Sequence, residues 1–321
     1  MSLLSRPRVS IGMPVYNGEN YIERAISSIL AQTYKDFELI ISDNASTDKT
    51  QEICKMFVGR DNRVRYHRNS KNIGAARNYN IVFRLSRGKY FKWAAHDDEL
   101  APAFLEDAVN VLEKNKDVVL TQSEVNIINE KSEVTGKYLN RLINMGSSQP
   151  SERYGDYLLA DHACFDVFGL MRRDVLANTK LHRSHLAADR NLLAELALLG
   201  RFYKIPAYLF YIRDHSERSV HIESDKIEEL GMWFDPKNKG KNLYMYPRLL
   251  LEYFKSIHRV RLNITERIRA YRYLGRWFWR FKKSMLNDII HYNPMVNVLY
   301  RGYKKLGLGS RKSTSIAENN F

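Results

Sequence analysis

The sequence predicts an α/β protein: a mostly parallel sheet flanked by helices. Three observations predict it. Short apolar runs bounded by turn residues alternate with segments whose apolar residues recur at helical spacing. That alternation persists from residue 8 to residue 128. Aromatic and acidic residues cluster just after the apolar runs, on the rim where open parallel sheets bind their ligands.

The elements follow in order. RVSIGM (8–13) is a short apolar strand that breaks at Asn17-Gly18, and Tyr21, Ala25, Ile26, Ile29 and Leu30 then recur on one helical face. FELIIS (37–42) is a second buried strand. It stops at DNASTD, and a helix follows from about Lys49 to Phe57. VRYHR (64–68) is a third strand and GAARNYNIVFRLS (74–86) a third helix. KYFKWAA (89–95) is the fourth strand. PAFLEDAVNVLEK (102–114) is the fourth helix, with Pro102 placed in its first turn. DVVLTQSEVNII (117–128) is a fifth strand.

Composition sets the limits. A chain of 321 residues is long enough for one large domain with an appendage. Its two cysteines, Cys54 and Cys164, stand far apart in no metal-like spacing, so neither a disulfide framework nor a zinc site is expected. No run reaches the length of a membrane span, and the first residues show no apolar core behind a basic start. A cytoplasmic location is therefore expected. The net charge of +15 is uneven: from Tyr246 onward sixteen Lys and Arg face four acids, which leaves the body near neutral. No G-x-G-x-x-G and no G-x-x-x-x-G-K-[ST] follows any strand, which disfavours a dehydrogenase or a P-loop phosphotransferase.

The rim carries the chemistry. Pro14-Val15-Tyr16 follows the first strand, Asp43-Asn44 the second and His96-Asp97-Asp98 the fourth. Asp48 reads as a turn or helix-capping acid. Asp97 and Asp98 repel one another unless solvated, protonated or neutralised, and a hard divalent cation carrying a diphosphate is one natural neutraliser.

VSIGMPVYNGENYIERAISSILAQTYKDFELIISDNASTDKT, NIGAARN (72–78) and KWAAHDDE (92–99) together resemble the family 2 glycosyltransferases, whose fold is GT-A. The resemblance resumes in FDVFGLMRRDVL (165–176), LAADRNLLAELALLGRF (186–202) and YIRDHSERS (211–219). It implies a GT-A catalytic domain over 1–220, divided into a nucleotide-binding half (1–128) and an acceptor half (129–220). It also implies an inverting transfer from a nucleotide diphosphate sugar, with a UDP-sugar favoured, to a glycan or lipid-linked hydroxyl in surface polysaccharide or glycolipid synthesis. Pro14, Val15, Tyr16 and Glu19 would then line the nucleotide, and Asp43 would accept a hydrogen bond from its base. Arg77 would lie near the diphosphate. Asp97 and Asp98 would hold Mn²⁺ or Mg²⁺, with His215 completing the coordination. Asp189 would be the general base, although as a first-turn acid it also suits a helix dipole. Ala95 stands where the family's metal motif has its first Asp. That departure leaves open an alternative, a nucleotide-sugar-binding protein without turnover.

The region 221–309 is expected to be helical and basic, followed by a disordered tail over 310–321. On a helical wheel of 264–285, Tyr271, Leu274, Trp277, Phe278, Phe281 and Met285 fall opposite Arg269, Arg272, Arg276, Arg280 and Lys283. Such a helix either lies on an anionic membrane, at the inner face of the cell membrane, or packs its aromatic face on the body or on a second subunit as a homo-oligomer. A nucleic-acid partner is not expected, since no recognisable module accompanies the charge.

Overall fold

The computed structural model describes residues 6–216, 218 and 227–292. Its first half follows the predicted alternation: β1 (Val9–Val15), α1 (Ile22–Leu30), β2 (Phe37–Asp43), α2 (Thr50–Arg60), β3 (Val64–Arg68), α3 (Ala75–Leu85) and β4 (Tyr90–Trp93). Every residue of β1, β2 and β4 is buried, as expected of strands covered on both faces. Their polar members are paired. Ser10 donates to Glu38 at 2.6 Å, and Glu38 also receives Arg65 at 2.7 Å.

The second half adds β5 (Glu99–Leu100), α4 (Phe104–Lys114), β6 (Val118–Ile128), β7 (Val134–Tyr138), α5 (Pro150–Leu159), β8 (Leu170–Arg172), α6 (Arg173–Ala177), α7 (Ala188–Leu199) and β9 (Arg201–Arg213). Pro102 does not sit in the first turn of α4. It precedes the helix, and its carbonyl accepts the Thr33 N–H at 2.9 Å.

The strands form a nine-stranded sheet in the order β3-β2-β1-β4-β8-β6-β9-β5, with β7 on β6. The expected parallel pairing holds across β3, β2, β1 and β4 and again between β6 and β9. β8 runs antiparallel to both of its neighbours, β4 and β6, so the sheet is mixed.

Three further helices follow: α8 (Ile227–Phe234), α9 (Met245–Arg259) and α10 (Ile264–Tyr292). α10 runs through residue 285 without a break. The expected tail over 310–321 lies outside the described residues. Leu274, Trp277 and Met285 of α10 share one core with Leu249, Tyr253 and Ile257 of α9 and with Val119, Leu120 and Met171 of the sheet. Trp277 meets Tyr253 edge-on with ring centres 5.3 Å apart, and Gly155 of α5 lets Tyr273 approach closely. The aromatic face predicted for a membrane or a second subunit is thus largely spent on the body, because burying each large apolar side chain contributes about 1.5–3 kcal/mol. The apolar side chains left exposed on α10 include Phe278, Trp279, Leu286 and Ile289. No described helix is long and apolar enough to cross a membrane.

Candidate active site at the carboxyl edge of the sheet

Two loops close over the ends of β1 and β2. Asn17 and Ala45 both take positive φ, at 51° and 64°, and each loop satisfies the backbone of the other. Ser46 accepts from Asn17 N–H at 2.9 Å, Thr50 from Gly18 N–H at 2.8 Å and Asp48 from Glu19 N–H at 3.0 Å. Glu19 returns the bond by accepting from Lys49 N–H at 2.9 Å. Asp48 also accepts from Thr50 N–H, so it behaves as the capping acid predicted. Pro14 and Val15 are buried at the end of β1, and Tyr16 is 43% exposed beyond them.

Asp43 ends β2 and is fully buried. Oδ1 accepts from Ser46 N–H at 2.8 Å, while Oδ2 accepts from Tyr66 at 2.5 Å and Arg68 at 2.6 Å. Burial opposes the charge, but bonds from Tyr66, Ser46 and Arg68 outweigh it and hold the carboxyl below its usual range. A buried amide network supports this corner. Asn78 donates to Ser42 O at 2.8 Å, and Asn44 receives the N–H of Ile73 at 3.0 Å. The NIGAARN loop is thereby fastened beside Asp43. Gly74, at φ +86°, lets the backbone of Phe234 and Asp235 come against it. Arg77 projects from the same turn, 44% exposed, and meets Asp235 at 3.3 Å.

The acids after β4 meet the end of β9. His215 Nε2 lies 3.0 Å from Asp97 Oδ2, and His215 Nδ1 is buried with no partner among the described residues. Asp98 accepts the Arg213 N–H at 2.9 Å. The Arg213 side chain is fully buried. It bonds Asp97 O at 2.9 Å and Asn129 O at 2.6 Å, pairs with Glu99, and lies over the Tyr21 ring at 4.9 Å. This arginine fixes the loop that carries both acids. Burial and the neighbouring Asp97 charge push the Asp98 carboxyl up. Burial would raise Asp97 too, but His96 and His215 bring it down. Of the two, Asp97 is therefore the stronger acid. His96 packs against Gly18, linking the first loop to the acids.

Among the described residues no three His, Cys, Asp or Glu converge on one point. Asp97 and His215 offer side-chain donor atoms here, and the imidazole is packed against the Tyr21 ring with centres 4.8 Å apart. That donor set suits a hard cation that takes its remaining oxygens from a diphosphate, and it does not suit a cation caged by protein alone.

Asp189 opens α7 behind Ala187, whose φ is 54°, and is half-buried, accepting from Arg190 N–H at 2.9 Å. Two residues beside it were missed in the sequence. Tyr79, from the second turn of α3, lies in the field of Asp97, Asp98 and Asp189, and burial pushes its hydroxyl well above the usual tyrosine range. His182 stacks on Tyr79 and Trp93, each at 4.7 Å, with its Nε2 buried and unpartnered. A tyrosine two places after Arg77 and a histidine seven before Asp189 were the signals available. The structure therefore brings Asp97, Asp98, His215, Tyr79 and Asp189 into one region. It sets Asp43, Glu19 and Arg77 along the adjoining edge.

Open α/β sheets bind their ligands at this edge. The profile of glycosyl transferase family 2 matches residues 10–179, more than half of the chain. The chain belongs to that family. An uncharacterised glycosyltransferase of Rickettsia bellii is 31% identical over 230 residues, which cover 71% of this chain and 27% of that protein. The matches span only about a third or less of the curated Rickettsia relatives. Among solved structures, S. aureus TarS in complex with UDP aligns with a TM-score of 0.60 at 15% identity, over 93% of this chain and 87% of that one. The mannosyltransferase PcManGT of Pyrobaculum calidifontis, in complex with GDP-Man and Mn²⁺, aligns with a TM-score of 0.52 at 16% identity, over 96% and 82%. These likenesses establish the GT-A fold.

Proposed function

We propose that the chain transfers a sugar, with inversion, from a uridine diphosphate sugar to a hydroxyl of a glycan or lipid-linked acceptor. The pathway would be cell-surface polysaccharide or glycolipid synthesis. The observation that carries the reading is the meeting of Asp97 with His215, beside Asp98 and in reach of Tyr79 and Asp189. One motif from each half of the chain would be needed to assemble such a site, and the fold supplies both.

Pro14, Val15, Tyr16 and Glu19 form the lip for the base and ribose. Asp43 is the residue proposed to accept from a uracil N3–H, which requires uncovering a carboxylate that is fully buried here and already bonded to Ser46, Tyr66 and Arg68. The solved neighbours bind different nucleotides, UDP in TarS and GDP-Man in PcManGT, so the preference for uridine rests on Asp43. Arg77 exchanges Asp235 for a diphosphate oxygen. Asp97 and His215, with Asp98 once ionised, are the residues to hold Mn²⁺ or Mg²⁺. When bound, that ion offsets charge on the departing diphosphate. Asp189 takes the proton of the acceptor hydroxyl as its oxygen bonds to the anomeric carbon, and the sugar–phosphate electron pair leaves with the diphosphate.

Calorimetry with UDP and GDP, followed by donor hydrolysis with and without Mn²⁺, tests the reading. Equal affinity for the two nucleotides would remove the uridine assignment. Tight UDP binding without turnover on any sugar would favour the non-catalytic alternative to which Ala95 points. A contact with an anionic inner membrane surface now belongs to the outer face of α10, where Trp279 and Leu286 lie among Arg272, Arg276, Lys282 and Lys283.

A further inference from the structure

One group of charges lies outside the site described so far. Glu252 of α9 is 2% exposed, and its Oε1 has three cations around it: Arg248 at 3.4 Å, Lys255 at 3.6 Å and Arg183 at 3.7 Å. None of the three makes a hydrogen bond to that oxygen. Arg259 also approaches Glu252, at 3.7 Å, but spends its Nε and Nη2 on Glu195 at 2.8 and 2.7 Å. One buried carboxylate thus gathers three cations that have no other acidic partner among the described residues. Their side chains remain 36–46% exposed, open to a ligand. The Nε–H of Arg248 is buried and has no acceptor, and His185 Nε2 beside the group is likewise unpartnered.

Like charges held this close repel unless an anion joins them, and arginine guanidinium groups match phosphate oxygens in geometry as well as charge. Arg183 and His185 stand on the loop that leads into Asp189. α9 lies along α7, with Asn191 donating to Leu249 O at 3.4 Å. The cluster therefore borders the acceptor end of the site.

We propose that Arg183, Arg248 and Lys255 form a phosphate subsite that takes a phosphate group carried by the acceptor, with Glu252 holding the three cations in place. His185 Nε2 is available to accept from a neighbouring hydroxyl. The proposal rests on the glycosyltransfer reading for the word acceptor, but not for the anion site itself.

The test uses the full chain with UDP held saturating, so that the donor pocket is closed to phosphate. Inorganic phosphate and glycerol phosphate are titrated calorimetrically, and vesicles with and without phosphatidic acid are sedimented. Wild type should bind at least one of these phosphates saturably. Arg183→Gln combined with Arg248→Gln should weaken binding about tenfold or more, in line with losing two charge-assisted contacts. The milder Lys255→Gln should weaken it about threefold while leaving thermal melting unchanged. UDP affinity should stay within about twofold in every variant. Glycerol phosphate binding would identify a soluble phosphorylated acceptor, and vesicle binding that is lost in the Arg183→Gln, Arg248→Gln protein a lipid-linked one, since binding through the outer face of α10 would survive those changes. If wild type binds UDP but none of the phosphates, or if the variants bind them as wild type does, the subsite is refuted and the donor reading stands. If UDP fails to bind, the donor reading falls, and phosphate binding lost in the variants would still establish the anion site.

Discussion

Replacing Asp43 by Asn keeps the shape of a side chain that has no exposure and removes only its charge. Oδ1 continues to accept from Ser46 N–H. The new amide, however, faces the Tyr66 hydroxyl and the Arg68 guanidinium, which sat 2.5 and 2.6 Å from a carboxylate oxygen. A hydrogen bond to a charged acceptor is worth about 1.5–3 kcal/mol, and Arg68, 32% exposed, recovers part of its loss in water. The net cost at pH 7 is about 3 kcal/mol, or about 4–5 °C in melting temperature for a chain of 321 residues. The carboxyl is held below its ordinary value in the folded chain, so its contribution is complete above pH 4 and fades as pH falls through the folded value. Urea unfolding of both proteins at pH 7 and pH 3 measures this. The gap should be near its full size at pH 7 and smaller at pH 3, where the unfolded chain's carboxyl is mostly protonated. A gap under about 1 kcal/mol at pH 7, or one unchanged at pH 3, would refute the view that Asp43 is held as a charged anchor. Because the same change removes the proposed contact to the base, UDP affinity must be compared well below both melting transitions.

Asp189→Asn should leave UDP affinity within about twofold and lower kcat about 100-fold or more; normal turnover would reassign the base. Asp97→Ala or His215→Ala should abolish the gain in UDP affinity produced by Mn²⁺, and chelation should do the same to wild type, as followed by calorimetry. Burial pushes the Lys92 amine, 1% exposed, down to about 7 from 10.5. The unfolded chain then binds a proton that the native chain lacks between those values, so stability should rise by about 3 kcal/mol from pH 7 to 9.5. Lys92→Met should flatten that rise in urea melts. Trp277→Ala should cost about 3–5 kcal/mol, since the ring is buried against Tyr253. A negligible loss would return that face to the surface.

The first half was legible because β1, β2 and β4 are compact buried runs closed by turns. FELIIS, for example, is all of β2 but its last residue. β9 was not read as a strand. It is thirteen residues long with polar residues throughout and carries Pro206, which sits where the register with β6 skips from Ile205 to Tyr208. A proline inside a run argues against a strand unless a bulge receives it. Within the site, the strand-end acids were visible as a pattern along the chain. Tyr79, Asp235 and the charges around Glu252 were not, because each gains its meaning from a contact between segments distant in sequence. The wheel of α10 put Leu274, Trp277 and Met285 on the buried face but also Phe278, which is 42% exposed, and periodicity does not say what covers an apolar face. Trp277 and Met285 turned out to cover the sheet's own helices.

That last arrangement has a consequence for how the chain is made. Val119, Leu120 and Met171 leave the ribosome well before Leu249, Leu274 and Trp277, with which they share a core. At about 5–20 residues per second, the roughly one hundred residues from Met171 to Leu274 take on the order of 5–20 s to synthesise. Through most of that interval the nascent protein carries α5 and α7 with the apolar faces that α9 and α10 later cover still open. The chaperone requirement of this chain should therefore fall late in translation, and a ribosome stalled near residue 200 should expose more adhesive surface than one stalled near residue 60.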